Sequence, residues 1–472
     1  MTAVAPVSHW FAHLDPAGMP APRPRLDGDA RVDVCIVGGG YTGLWTAYEL
    51  RRSHPDLDVL VVEREVCGFG ASGRNGGWVQ GELAGSTESW ERRGGPGAAV
   101  RMHHAIRDTL GEIEDAVQRE GIACDWHRGG TLTVAQTPLE LGRLRAAADA
   151  ARAAGTWEDG EDAFLDAAEL RERVAIRGGQ GAWANPHCAR VQPAALARGL
   201  ADAVARAGAR IVEDTPVTAI EPARGTVPAK AHTPHGTVTA RWVVRATEGY
   251  TAGLPGERRT VAPITSSMIV TEPLSADRWA AIGWDGAETI LDGGHQYHYL
   301  QRTADGRIAI GGRGVPYGYG SDTRREGPLP ASTQRTLRGS LVRLFGDDMQ
   351  DVRIDGAWHG VLGVPRDWTP FVGADEETGL AFAGGYVGEG VAAANLAGRT
   401  LRDLLVGRRR SELATLPWVL PAGTTPPRWE PEPLRWTGIR SVYALLGLAD
   451  EIEHRTGKPS RVAAVANRIA GR

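Results

Sequence analysis

The run Gly38-Gly39-Gly40-Tyr41-Thr42-Gly43 lies between an apolar stretch, Val34–Val37, and a helix-like stretch, Leu44–Arg52. No other feature restricts the fold of this chain as tightly. Glycines at this spacing, after a strand and before a helix, make a dinucleotide-binding turn. Gly38 permits the bend, Gly40 lets backbone approach a pyrophosphate, and Gly43 lets the helix pack close on the strand. Tyr41 and Thr42 open the helix, whose unpaired N–H groups and partial positive charge suit phosphates. A second apolar run, Val59–Val62, ends at Glu63 and Arg64, and Glu63 falls about 20 residues after Gly43. A carboxylate there accepts from a ribose 2′-hydroxyl and favours a cofactor without a 2′-phosphate.

A second glycine-rich loop, Gly68-Phe69-Gly70-Ala71-Ser72-Gly73-Arg74-Asn75-Gly76-Gly77, follows directly. So many glycines remove bulk where backbone must lie against a large planar ligand. Ser72, Arg74 and Asn75 add donors for phosphates or ring carbonyls. A nicotinamide enzyme has no need of this loop.

Here the chain resembles the D-amino-acid oxidase-like flavoproteins, in particular the gamma-glutamylputrescine oxidase branch, whose members commonly show Gly-Ala-Ser-Gly-Arg-Asn-Gly-Gly. The segment Trp358-His359-Gly360, with Leu362–Pro370 after it, is similar to the one this branch lays beside the flavin ring. Gly384–Gly390 and Val391–Leu405 resemble its C-terminal flavin helix, and Val243–Tyr250 its second cofactor turn. The resemblance implies an α/β fold: a Rossmann-type FAD-binding domain interleaved with an antiparallel-sheet α+β substrate domain. The FAD domain would comprise residues 1–92, 183–258 and 356–410, and the substrate domain 93–182 and 259–355, with 411–472 as a C-terminal extension. It also implies that Val217, Thr247, Gly249, Trp358, Gly360, Gly385, Tyr386, Val387 and Gly388 contact FAD, alongside the glycine-loop residues above.

Composition agrees. With 472 residues the chain exceeds one core of ~100–200 residues, and its net charge of −4 gives no basic field for nucleic acid or an anionic membrane. No apolar run approaches the ~18 residues that span a bilayer, and the N-terminus has no basic or apolar leader signature, so a cytoplasmic protein is expected. Cys35, Cys67, Cys124 and Cys188 are scattered without metal-ligand spacing, which points to reduced thiols and no metal. Helices are predicted at 98–120, 139–154, 193–207 and 391–406, with a last helical region after the Trp- and Pro-rich tail 417–436. Strands are predicted at 130–135, 210–212, 217–220, 238–245, 266–271, 296–301 and 307–312.

Period two in Tyr297–Arg302 puts Tyr297, Tyr299 and Gln301 on one face, and His298, Leu300 and Arg302 on the other. The resemblance favours Tyr299 at the flavin cavity. His359 and Tyr386 are candidates beside the ring, and Arg313 with Tyr317 and Tyr319 for a lid or carboxylate clamp. Arg302 reads as a structural ion-pairing residue. Relatives need no dedicated general base, since the amine is reactive once neutral.

The chain departs from the family pattern in three ways. Glu248 stands where asparagine is common, and the strand 307–311 lacks the lysine with which some relatives activate oxygen. No cysteine follows Cys188, so FAD is expected to be non-covalent. The expected activity is oxidation of a small polar amine or amino acid to an imine, with O2 reduced to H2O2. An NAD(P)H-dependent FAD monooxygenase and a non-catalytic flavoprotein are the alternatives, and oligomeric state is open.

Overall fold

The computed structural model describes residues 7–14, 19–312, 317–323 and 329–470. Strands Ala30–Val37 (β1) and Val59–Val62 (β2) run parallel, joined by helix Tyr41–Ser53 (α1). The chain returns beside β1 only at Gly236–Arg245 (β3). Downstream lie Ala262–Thr271 (β4), Tyr299–Arg302 (β5), Ile308–Gly312 (β6), Ile354–Val364 (β7), Leu380–Gly384 (β8), helix Gly390–Leu405 (α2) and helix Leu434–Thr456 (α3).

Two eight-stranded sheets organise the molecule. The first runs Phe371–Asp375, β8, β3, β1, β2 and Arg210–Val212, with two short strands, Ala219–Glu221 and Ala229–Thr233, beside β3. Its inner pairs are parallel, and β2 and the second half of β1, Val34–Val37, are short apolar runs, as strands covered on both faces must be. Helix α2 crosses α1 closely: a Cβ on Gly398 would lie 2.8 Å from the Trp45 and Thr46 backbone. Larger residues at that crossing would push the helices apart.

The second sheet runs β7, β4, β6, β5, then Thr289–Asp292, Thr131–Ala135, Gly181–Asn185 and Ala163–Leu165. All its pairs are antiparallel except Thr289–Asp292 with Thr131–Ala135. Every residue of β4 is buried. β7 forms the far edge of this sheet, and its last residues also reach the cleft described below.

Most predicted elements appear within a residue or two. The strand expected from Gln296 begins only at Tyr299, because the His295 and Gln296 N–H groups bond the Asp450 carboxylate of α3 at 2.8 and 2.9 Å rather than a neighbouring strand. The strand expected at 217–220 lies at Ala219–Glu221, and β4 starts four residues before the predicted Ser266. Helices Thr87–Gly94, Ala276–Ile282 and Ala331–Phe345 lie outside the sequence expectation.

The C-terminal tail folds onto its own chain. Leu420 donates to Val372 at 2.8 Å and Val372 to the Trp418 carbonyl at 3.0 Å, which seats the fully buried Trp418 against the first sheet. The Trp429 indole donates to the Val364 carbonyl at 2.7 Å, on the second sheet. Among the described residues no helix is long and apolar enough to cross a membrane, and all four cysteines are buried and unbridged.

Candidate active site

A long cleft opens at the carboxyl ends of β1, β2 and β3, where ligands sit in open α/β sheets. It is lined in turn by Glu63, Arg64 and Val217, by Gly38, Gly40, Tyr41 and Thr42, and by Gly388, Gly390 and Val391. Gly38 has φ +111°, and a Cβ there would meet the Ala246 carbonyl oxygen at 2.5 Å. A Cβ on Gly43 would lie 2.0 Å from the Gly38 carbonyl oxygen, so helix and turn touch as the fingerprint requires. The Ser72 hydroxyl accepts the Tyr41 N–H at 2.9 Å and ties the second loop to the start of α1. Glu63 accepts from the Gly39 N–H at 2.6 Å and the Glu65 N–H at 2.9 Å, and burial raises its carboxyl above the usual range. Tyr386 lies on the cleft wall with its hydroxyl 3.0 Å from that of Thr42, which fastens the turn before α2 to α1; burial holds its phenol far above the ordinary value.

A second cavity adjoins the cleft and shares Ala71, Asn75, Leu362, Gly388 and Val391 with it. Its remaining walls are Arg74, Gly76, Trp78, Gln80, Ser266, Leu291, Tyr297, Tyr299, Gly360 and Glu389. Tyr299 donates to or accepts from Ser266 at 2.8 Å and meets Trp78 edge-on, ring centroids 6.1 Å apart. Of the described buried indole N–H groups without a protein partner, only that of Trp78 lines either cavity.

The comparisons with known proteins fit this architecture. Residues 33–404 match the DAO family model, described as FAD dependent oxidoreductase. The chain belongs to this family. It is 33% identical over 414 residues to gamma-glutamylputrescine oxidoreductase of Escherichia coli (strain K12), covering 86% of this chain and 91% of that one. The crystal structure of glycine oxidase from Geobacillus kaustophilus superposes with a TM-score of 0.67 at 24% identity, over 84% of this chain and 100% of the other. L-proline dehydrogenase from P.horikoshii does so with a TM-score of 0.66 at 17% identity, over 84% and 98%. The cofactor is FAD, and the cleft, with Gly38 at a turn where a Cβ would collide with backbone, fits a dinucleotide.

Against FAD, the expected contact residues fall into groups. Gly38, Gly40, Tyr41, Thr42, Glu63, Arg64, Gly70, Ala71, Ser72, Asn75, Val217, Thr247, Tyr386 and Gly388 line the cleft. Others turn elsewhere. Asn75, although it lines the cleft, spends its amide on the Ala71 and Ser72 carbonyls and accepts the Gly77 N–H, so its side chain folds the loop. Arg74 donates to the Phe69 carbonyl at 2.7 Å. Gly76 and Gly77 make room for the substrate-side strand: a Cβ would meet the Tyr299 ring at 2.7 Å and the Gln301 amide at 2.0 Å. Trp358 braces the loop by donating to the Arg74 carbonyl at 2.8 Å, while Gly249 packs on Val361 and Gly385 on Phe371. Val387, at φ +59°, packs with Ile264 and Trp429.

Tyr299 is where the period-two reading placed it, with Tyr297 beside it at the cavity wall. On the opposite face His298 bonds Asp292 at 2.8 Å, and Arg302 pairs with Asp285 at 3.0 Å. His359 is not among the residues lining either cavity. Tyr386 lines the cleft but not the inner cavity with Tyr299. Arg313 lies outside the described residues. Trp78, Gln80, Ser266 and Glu389 were not singled out from sequence. Trp78 directly follows the second glycine loop, which is the one signal that points to it.

No cysteine, histidine or lysine lines the cleft or the inner cavity among the described residues. Cys67 lies behind the first turn, where a Cβ on Gly39 would come 2.7 Å from its sulfur. Burial pushes its thiol well up, so it is a poor nucleophile.

Proposed function

We propose that this FAD-dependent oxidoreductase is an oxidase of a small polar amine or amino acid, taking a hydride from the carbon that bears nitrogen. The observation that carries the reading is the inner cavity joined to the cofactor cleft through Ala71, Leu362, Gly388 and Val391. FAD, held by the glycine turn, the second glycine loop and the start of α2, would supply the two-electron acceptor for that hydride. The imine formed then hydrolyses to an aldehyde or keto acid, releasing ammonia or a smaller amine.

The residues of this chain do the positioning. Trp78, Tyr297 and Tyr299 offer aromatic faces to a substrate stem, and their π-faces attract an ammonium group before it loses its proton. The Ser266 and Tyr299 hydroxyls are polar anchors that fix orientation, as a few polar groups in an aromatic cavity do. The start of α2, at Gly390, lines the cofactor cleft and would offer partial positive charge to a reduced, anionic flavin. The similarity to gamma-glutamylputrescine oxidoreductase supports an amine substrate, with or without a carboxylate-bearing arm. O2, reduced to H2O2, is the proposed acceptor.

The test is anaerobic mixing of the yellow holoprotein with a panel of amines and amino acids, without nicotinamide, while the visible flavin band is followed. Bleaching by one class supports the proposal and names that class; recovery of colour with H2O2 on admitting air supports O2 as acceptor. Bleaching by NADPH alone would replace the proposal with the monooxygenase alternative.

A further inference from the structure

Glu248 occupies the second cofactor turn, lines the FAD cleft, and has a left-handed backbone with φ +43°. Its carboxylate accepts the N–H of Gly385 at 3.1 Å and of Tyr386 at 3.3 Å through one oxygen, and the N–H of Gly363 through the other. Gly363 ends β7, while Gly385 and Tyr386 begin the turn that leads to α2. One side chain therefore joins three segments that border the cofactor. The groups that face it are backbone donors from its own turn, from β7 and from the turn before α2, and its charge pushes the Tyr386 phenol up further. Burial pushes the carboxyl up to about 7 against the pull of those N–H groups.

We propose that Glu248 is a positioning and charge-setting residue of the FAD site. Its carboxylate clamps the Gly385–Tyr386 turn to the end of β7, and its negative charge holds down the affinity of the cleft for reduced FAD relative to oxidised FAD. The electrostatics follow from the balance of the reaction. A hydride brings two electrons and one proton, the substrate carbon loses that pair, and the charge of the bound cofactor falls by one. A carboxylate in the same cleft opposes that gain, whatever the substrate. The inference rests on FAD and not on the amine reading.

The test uses holoprotein at pH 8.5, above the carboxyl's titration, with wild type, Glu248→Gln and Glu248→Asp equilibrated against a redox dye. Glutamine keeps the shape but removes the charge and turns an N–H₂ donor toward a backbone donor. A unit charge sharing the cleft changes the reduced-to-oxidised affinity ratio by on the order of tenfold. E248Q should therefore favour reduced FAD by about tenfold, equal to about 30 mV upward for a two-electron couple. E248D, which keeps the charge, should stay within about twofold of wild type. An E248Q ratio equal to wild type overturns the proposal. If E248Q purifies without FAD, hydrogen exchange in the apoproteins decides. Faster exchange in peptides carrying Gly363, Gly385 and Tyr386 for E248Q than for wild type supports the clamp, and unchanged protection overturns it. Neither readout depends on an amine being oxidised, so a failed substrate panel leaves this result standing.

Discussion

Tyr299 shows how a single side chain is placed by what its neighbours lack. Its ring lies over Gly311 of β6 and against Gly76 of the flavin loop, and its hydroxyl reaches Ser266 of β4 at 2.8 Å. A Cβ on Gly311 would come 2.2 to 2.4 Å from the ring and hydroxyl. Gly311→Ala should therefore displace the ring, cost roughly 1–3 kcal/mol in denaturant unfolding, and lower kcat/KM more than it lowers FAD content. Unchanged kinetics would show that Tyr299 does not shape the substrate cavity. On the reverse face, Asp292 is buried with His298 at 2.8 Å and Arg343 at 2.6 Å. Burial alone would raise its carboxyl, but those two partners outweigh it and hold it at about 2. Asp292→Asn should cost about 3 kcal/mol, because it leaves a buried network short of its anion; a urea midpoint equal to wild type would refute this. The alternation of Tyr297–Arg302 was legible in sequence, since side chains in a strand alternate by geometry. Which face meets the cavity was not, because that depends on glycines far away in the chain.

At the scale of elements, the glycine turn, α1 and α2 behave as their local sequence dictates. Within the turn, residues nearby in sequence make close contacts, such as Gly43 against Gly38, while the seating of α2 on α1 rests on Gly398 against Trp45 and Thr46. The C-terminal tail is different. Its composition required burial of its tryptophans, but only the fold shows that Trp418 seals the first sheet, Trp429 caps β7 and Asp450 of α3 holds the loop before β5. Arg435 adds a buried contact, pairing with Glu432 at 2.9 Å while Glu432 accepts from Tyr317 at 2.6 Å. Truncation after Gly407 should thus expose both sheets and give insoluble or flavin-poor protein. A soluble truncated form with a full complement of FAD would show that the tail is peripheral to both.

For the molecule as a whole, stability should depend on acid through two histidines kept neutral inside it. Burial, with Arg307 nearby, lowers His9 to about 4, and burial, with Arg107 nearby, lowers His103 to about 4. The unfolded chain takes up protons at both from about pH 6.5 downward, while the folded protein does so only near pH 4. Stability should therefore fall as pH drops from 6.5 to 4, and the double variant His9→Gln, His103→Gln should flatten that slope in thermal unfolding. A slope unchanged in the double variant would assign the acid response to other groups. The same scale separates what was legible from what was not. Sequence alone determined the dinucleotide-binding turn, the second glycine loop, the first strand–helix–strand unit and most of the longer helices, because each is set by backbone geometry and by periodicity over a few residues. It also marked Glu248 as unusual without saying what it does. Only the tertiary structure decided that Glu248 gathers donors from three segments, that Trp78, Ser266 and Tyr299 share a wall, and that Arg74 and Asn75 spend donors on their own loop. The first two rest on contacts between residues distant in sequence and the third on which partner each donor reaches in the folded loop; chain periodicity encodes neither.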